Sequence, residues 1–240
     1  MSAAVVLGAR NLGGAIVDHL LAEGWRAGAV ARSDDTLERV RSAGALALSA
    51  DAADPGELAG ALDRARKELG GLDLVVNAVS AARPPAGTTT FGGGPIADAS
   101  VEAFRGWTAA VAEQAFVFLS EGARALRAAG GGGTLIQVTG GSARRAQPGR
   151  GLWSAGAQAA RALVQAAAQE LRGEGIHAAL LIVDATIESP KTEAFTRDVP
   201  REALADQADV ARAVAYLASQ SARGQTYELQ LTPAGERWVP

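Results

Sequence analysis

Short, nearly unbroken apolar runs alternate along this chain with longer stretches whose apolar residues recur at helical spacing. The runs are Ala3–Leu7, Arg26–Ala31, Ala45–Leu48, Asp73–Asn77, Thr134–Val138, Ala178–Val183 and Tyr227–Leu231. A strand covered on both faces has no polar side to show, so it reads as a continuous run. Helical spacing is found in Leu12–Glu23, Pro55–Leu69, Val101–Ala129, Gly151–Arg172 and Asp209–Ala218. This alternation predicts an α/β protein with a doubly wound parallel sheet and right-handed crossovers. No internal repeat is present. One long stretch, Ala81–Ser100, is irregular, rich in Pro, Gly and Thr, and contains Phe91-Gly92-Gly93-Gly94-Pro95. It follows the fourth strand, which would set it over the carboxyl edge of the sheet, where loops bind ligands; a disordered insertion would have the same composition.

Composition narrows the function classes. The chain has 240 residues, enough for one domain with a substantial core. Its net charge of -3 is spread along the sequence, which argues against nucleic acid or an anionic membrane as the main partner. Arginine greatly outnumbers lysine, present only as Lys67 and Lys191, a skew we attribute first to genome composition. There is no cysteine, so disulfides, thiolate catalysis and cysteine-based metal sites are excluded. His19 and His177 fall in different elements, which argues against zinc, and no metal is expected. The amino terminus has neither the basic nor the long apolar region of a signal peptide, and no run is long enough to span a bilayer. A soluble, cytoplasmic protein is expected.

The first strand runs into Gly8-Ala9-Arg10-Asn11-Leu12-Gly13-Gly14 and then a helix. A glycine at the strand end permits a tight turn, and one at the helix start permits close packing on the strand. Together they would bring free N–H groups and the positive end of a helix to a pyrophosphate. A plain strand–helix turn can look similar, but the position directly after the first strand favours a nucleotide. The second strand ends in Ala29-Val30-Ala31-Arg32-Ser33. An acid here would bind the ribose hydroxyls of NAD. Ala31 offers none, whereas Arg32 and Ser33 can hold a 2′-phosphate, so NADP(H) is favoured over NAD(H). An ordinary solvated arginine is the alternative.

Over essentially its whole length the chain resembles the short-chain dehydrogenase/reductase family. That family's glycine turn, Thr-Gly-x-x-x-Gly-x-Gly, falls on Leu7, Gly8, Leu12 and Gly14, so its middle glycine is replaced and Gly13 is offset. Asp51 and Ala52 match the acid that contacts adenine after its third strand, and Asn77-Ala78-Val79 matches its Asn-Ala-Gly after the fourth, with Val79 replacing the glycine. The helix Ala211–Ala218 followed by Gly224-Gln225-Thr226 resembles its usual ending. The resemblance implies a single Rossmann domain over residues 1–240, with about seven parallel strands and helices on both faces. It also implies a nucleotide site at Gly8, Arg10, Asn11, Leu12, Gly14, Arg32, Ser33, Asp51, Ala52, Asn77 and Ala78.

The family's catalytic Tyr-x-x-x-Lys falls on Trp153-Ser154-Ala155-Gly156-Ala157. Its catalytic serine falls on Gly140, and its helix asparagine on Val111 when Phe104 and Phe116 anchor the alignment. Tyrosine serves there as acid and base, and lysine lowers the tyrosine pKa. An indole N–H donates a hydrogen bond but exchanges no proton at neutral pH. The remaining tyrosines, Tyr216 and Tyr227, do not precede a lysine, so no shift of register restores the pair. The family's Pro-Gly after the sixth strand becomes Asp184-Ala185, and a threonine near the nicotinamide becomes Ser189.

Thr139, Ser142, Glu113, Asp184, Glu188, Arg144 and Arg145 are candidates to take over. The arginines could hold an anion or be solvated surface. Asp184 and Glu188 could act as acids or bases if buried, and Trp153 could stack on a ligand or simply fill space. The helix from Gly151 is rich in alanine (Ala155, Ala157, Ala159, Ala160, Ala162, Ala166, Ala167, Ala168). The family's equivalent helix commonly forms a subunit interface, which implies a homodimer or homotetramer; packing within one chain would use the same small residues. Three functions follow. One is an atypical NADP-dependent oxidoreductase acting on an unidentified small molecule. Another is a non-catalytic NADP-binding subunit, paired with an active homologue. The third is a non-redox lyase, isomerase or cyclase on the same fold.

Overall fold

The computed structural model describes residues 1–79, 90–190 and 192–236. The expectation for residues 81–89 of the irregular stretch therefore lies outside the described residues. The strands are β1 (Ala3–Leu7), β2 (Arg26–Ala31), β3 (Leu46–Ser49), β4 (Leu74–Asn77), β5 (Gly133–Gly140), β6 (Ile176–Val183), β7 (Thr186–Ile187), β8 (Leu204–Ala205) and β9 (Glu228–Leu231). Seven of them form one parallel sheet in the order β3-β2-β1-β4-β5-β6-β9, while β7 and β8 pair separately. Every residue of β1, β4 and β6 is buried, which is why these segments read as unbroken apolar runs.

Helices α1 (Leu12–Ala22), α2 (Asp34–Ser42), α3 (Pro55–Glu68), α4 (Val101–Thr108), α5 (Gln114–Ala128), α6 (Gly151–Glu170), α7 (Glu193–Thr196) and α8 (Gln207–Ala218) complete the chain. Side chains alternate along each strand, so the sheet feeds two apolar layers. Val5, Leu7 and Val75 pack with Leu62 of α3, Phe118 of α5 and Val164 of α6. Ala4, Val6 and Val76 pack with Ile16 and Leu20 of α1 and Val210 and Val214 of α8 on the other face. Several helices are started by side chains: the carboxylate of Asp54 accepts from Glu57 N, the hydroxyl of Ser100 from Ala103 N, and the carboxylate of Asp206 from Ala208 N.

Strands β7 and β8 and helices α2 and α7 lie where no element was expected. Helix α2 has only Thr36, Leu37 and Val40 buried. So short an apolar stripe gives little periodic signal, and its support comes from charge, with Asp34 and Asp35 in the first turn and Arg39 and Arg41 in the last. The expected single helix 101–129 is split by a π-helical turn, Ala109–Glu113. Gly156 of α6 crosses at this turn so closely that a Cβ on it would lie 2.9 Å from Val111 Cβ and 3.3 Å from the Trp107 carbonyl.

The chain goes out from β1 through β2 to β3 and then returns to β4 beside β1. This reversal opens a crevice at the carboxyl ends of β1 and β4, the position where doubly wound sheets bind ligands. Phe118, fully buried, fills the layer between α5 and the sheet. We expect Phe118→Ala to remove about 3–5 kcal/mol of stability, read as a lower urea midpoint at unchanged slope.

Candidate functional site

The crevice is shaped by missing side chains. Gly8 has φ +85°, and a Cβ on it would meet Val79 Cα at 2.9 Å and the Ala78 carbonyl oxygen at 3.0 Å. The turn after β1 thus touches the turn after β4, backbone against backbone. A Cβ on Gly13 would overlap the Gly8 carbonyl, and one on Gly14 would lie 2.8 Å from the Ala9 carbonyl oxygen. Gly13, which the family pattern leaves offset, is therefore the residue that seats α1 on the strand. Arg10 is exposed, Asn11 and Leu12 are half-buried, and Asn11 starts α1 without a side-chain capping bond.

At the ends of β2 and β3, the structure joins two residues that the sequence treats separately. Arg32 Nη1 lies 3.1 Å from Asp51 Oδ2, with the Arg32 side chain 71% exposed. Such an exposed pair contributes about 0–1 kcal/mol and exchanges readily for another partner. Asp51 Oδ1 also accepts from Ala53 N at 3.0 Å, and Ser33 Oγ donates to Thr36 Oγ1 at 2.7 Å at the start of α2.

Asn77, at the end of β4, is fully buried in a cluster of amides. Its Nδ2 donates to Gln114 Oε1 at 2.8 Å and Gln137 Oε1 at 2.7 Å. Its Oδ1 accepts from Val79 N at 3.2 Å and Gln114 Nε2 at 3.3 Å. Gln137 Nε2 donates to the Val138 carbonyl at 2.8 Å, and Gln114 Nε2 reaches the Ala52 carbonyl at 3.5 Å. The cluster therefore fixes the Ala78–Val79 backbone against which Gly8 is packed. Sequence reasoning missed Gln114 and Gln137. The available signal was a glutamine inside the apolar run Leu135-Ile136-Gln137-Val138.

Beyond the crevice, Trp153 on the first turn of α6 meets Trp107 of α4 edge-on, with ring centroids 5.6 Å apart. Phe91 completes the group at 5.1 Å from Trp153 and 5.4 Å from Trp107. Gly92 and Gly93 hold Phe91 there. Both have positive φ, and a Cβ would strike Arg150 Cα at 2.8 Å in the first case and Leu152 Cβ at 2.9 Å in the second. Gly94 N donates to the Gly149 carbonyl at 3.0 Å, and the Arg150 guanidinium lies 5.6 Å from the Phe91 centroid. Trp153 therefore packs within an aromatic group, and the described end of the irregular stretch lies on the start of α6. Ala157, one turn on, is fully buried, and Val111 is half-buried beside Gly156.

Gly140 ends β5 with open space beside it, since a Cβ there would meet only the Val183 carbonyl oxygen, at 3.9 Å. At Gly141 a Cβ would fall on the carboxylate of Asp184. Asp184 is buried, and its Oδ2 accepts from Gln230 Nε2 at 3.1 Å. Of the other candidates, Glu113 is exposed and Glu188 pairs with Arg201 at 3.2 Å on the surface. Arg144 and Arg161 both pair with Glu228, at 3.2 Å and 2.6 Å. Ser189 Oγ lies 3.1 Å from Thr192 Oγ1.

The sequence model of the family described as enoyl-(acyl carrier protein) reductase matches residues 6–229. No curated protein sequence matches the chain. Among solved structures, a short-chain type dehydrogenase/reductase from Mycobacterium ulcerans superimposes with TM-score 0.81 at 23% identity, over 95% of this chain and 87% of that one. A variant of actinorhodin polyketide ketoreductase, solved with NADPH, gives 0.80 at 21% identity over 99% and 98%. An alcohol dehydrogenase from Thermococcus sibiricus, complexed with 5-hydroxy-NADP, gives 0.78 at 22% identity over the full length of both. At these identities the likeness establishes the fold.

Removing the central amide tests the cluster. Asn77→Ala leaves the Gln114 and Gln137 oxygens without their donor, and a loss of about 1–3 kcal/mol in urea unfolding is expected. An unchanged midpoint would show that the amides do not stabilise the crevice.

Proposed function

The chain belongs to the short-chain dehydrogenase/reductase family, and we propose that it is an atypical NADP-dependent oxidoreductase acting on a small molecule. The observation that carries the nucleotide half is the close approach at Gly8 and Gly13. It seats the uncapped start of α1 at the end of β1, where the free N–H groups of the helix could meet a pyrophosphate. Gly8, Arg10, Asn11, Leu12 and Gly14 would hold the pyrophosphate. Arg32 and Ser33 would hold the 2′-phosphate, Asp51 and Ala52 the adenine, and Asn77 and Ala78 the far wall. A 2′-phosphate would draw Arg32 away from Asp51, a contact that costs little to break. The nucleotides bound to the ketoreductase and the alcohol dehydrogenase also favour this choice. When bound, the dinucleotide supplies or accepts a hydride.

The proton-transfer half is where the protein departs from its family. The positions that align with the catalytic groups hold Val111, Gly140, Trp153 and Ala157, and none of these side chains exchanges a proton at neutral pH. The packing of Phe91 and Trp107 around Trp153 supports a second reading, a non-catalytic NADP-binding subunit whose pocket its own side chains fill. Exposed Phe104 and Phe116, with exposed Ala155, Ala162 and Ala166 of α6, would suit a contact with a second copy or an active relative. No helix among the described residues is long and apolar enough to cross a membrane.

Calorimetric titration separates these readings. NADPH is expected to bind about tenfold more tightly than NADH, and Arg32→Ala to abolish that difference while leaving NADH unchanged. A preference for NADH would refute the assignment of Arg32. Oxidation of NADPH with any carbonyl, imine or activated alkene supports the enzyme. Its absence across a broad panel, together with intact NADPH binding, supports the subunit.

A further inference from the structure

Helix α2 starts at Ser33, whose hydroxyl donates to Thr36 Oγ1 at 2.7 Å and whose carbonyl accepts from Leu37 N at 3.0 Å. Arg32 and Ser33, the two residues that the nucleotide reading assigns to a 2′-phosphate, therefore take their place from this helix. Its own anchorage is small. It packs on β2 and β3 and buries only Thr36, Leu37 and Val40, of which Val40 shares the apolar layer with Ile16 and Val17 of α1. On the outer side, Arg39 of its last turn reaches across to α1. Arg39 Nη2 donates to Asp18 Oδ2 at 2.6 Å. The same guanidinium lies over the first turn of α1, where a Cβ on Gly14 would stand 2.5 Å from Arg39 Nη1 and 2.8 Å from its Cζ. The missing side chain of Gly14 thus leaves the space that Arg39 occupies.

A cation beside the positive end of a helix gains nothing from the macrodipole, so the seat on Gly14 is held by Asp18, one turn further along α1. The pair is partly exposed, 42% at Arg39 and 48% at Asp18, and such a pair adds little to overall stability. Its consequence is geometric. It joins the helix whose start would meet the pyrophosphate to the helix whose start would meet the 2′-phosphate. We propose that Arg39 is a positioning residue for nucleotide discrimination: seated on Gly14 and tied to Asp18, it fixes the separation between the start of α1 and the Arg32–Ser33 turn. This rests on the nucleotide-binding reading and extends it to a side chain that acts through α2 and not on the phosphate. A turn already held in place has less freedom to lose when a phosphate binds. NADH carries no 2′-phosphate, so its affinity does not depend on where Arg32 and Ser33 stand.

Calorimetric titration of NADPH and of NADH into the full chain tests this with two surface variants. Arg39→Met keeps the apolar stem and removes the guanidinium; Asp18→Ala removes its partner. Each is expected to weaken NADPH about threefold and to leave NADH unchanged. The double variant is expected to lose no more than either single one, because the two side chains act as a unit. In the free protein, amide exchange over residues 33–37 is expected to quicken in both variants. A direct contact between Arg39 and the phosphate gives the opposite pattern: Asp18→Ala then frees the guanidinium and strengthens NADPH, a result that overturns the positioning role. A ratio of NADPH to NADH affinity that neither variant moves also overturns it, and leaves the assignment of Arg32 standing. Binding of neither nucleotide to the unaltered protein sinks the nucleotide reading itself, and this role with it.

Discussion

The contact between the turn after β1 and the turn after β4 is the constraint on which the rest of the molecule depends. Gly8 comes within Cβ distance of Val79 Cα and the Ala78 carbonyl, and Gly13 seats α1 on the Gly8 carbonyl. Backbones can approach this closely only where side chains are absent. The approach exists because the chain reverses its direction across the sheet between β3 and β4, so the topology creates the crevice and the glycines keep it narrow. Asn77, Gln114 and Gln137 then hold the β4 side of the contact from beneath. A buried amide must find partners, and these three find them largely in one another. Polar groups are tolerated at the centre of the protein here because they are mutually satisfied.

Much of this was legible in the sequence. The strands of the main sheet are readable because burial on both faces leaves an unbroken apolar run, and α1, α3, α6 and α8 because each buries a long stripe. Helix α2 is not readable in that way, since three buried positions in a charged segment give no periodicity. The π-helical break at Ala109–Glu113 lies where α6 crosses at Gly156, a contact between segments distant in sequence. A local pattern does not register such a contact. The same holds for Gln114 and Gln137, whose meaning appears only when β4, β5 and α5 meet at Asn77.

The candidate site divides along the same line. Gly8 and Arg32 were legible as candidates because each follows an apolar run directly, and Asp51 and Asn77 because they match the family's pattern. Their relations were not found. Arg32 and Asp51 form one ion pair, and Asn77 faces inward to other amides. Asp184 and Glu188 stood as equivalent acids in the sequence; burial and partners separate them, with Glu188 on the surface beside Arg201 and Asp184 enclosed.

The start of α6 is built by packing. Trp153 meets Trp107 and Phe91, which lie against it from two sides. Holding Phe91 in place takes Gly92 and Gly93 with positive φ, and passing α6 beside the π-helical turn takes Gly156. At the neighbouring strand ends, the carboxylate of Asp184 lies where a side chain on Gly141 would otherwise stand. The aromatic group at the start of α6 and the buried carboxylate of Asp184 each meet backbone that carries no side chain, at Gly92, Gly93 and Gly141, so close packing governs this end of the sheet as it governs the turn at Gly8.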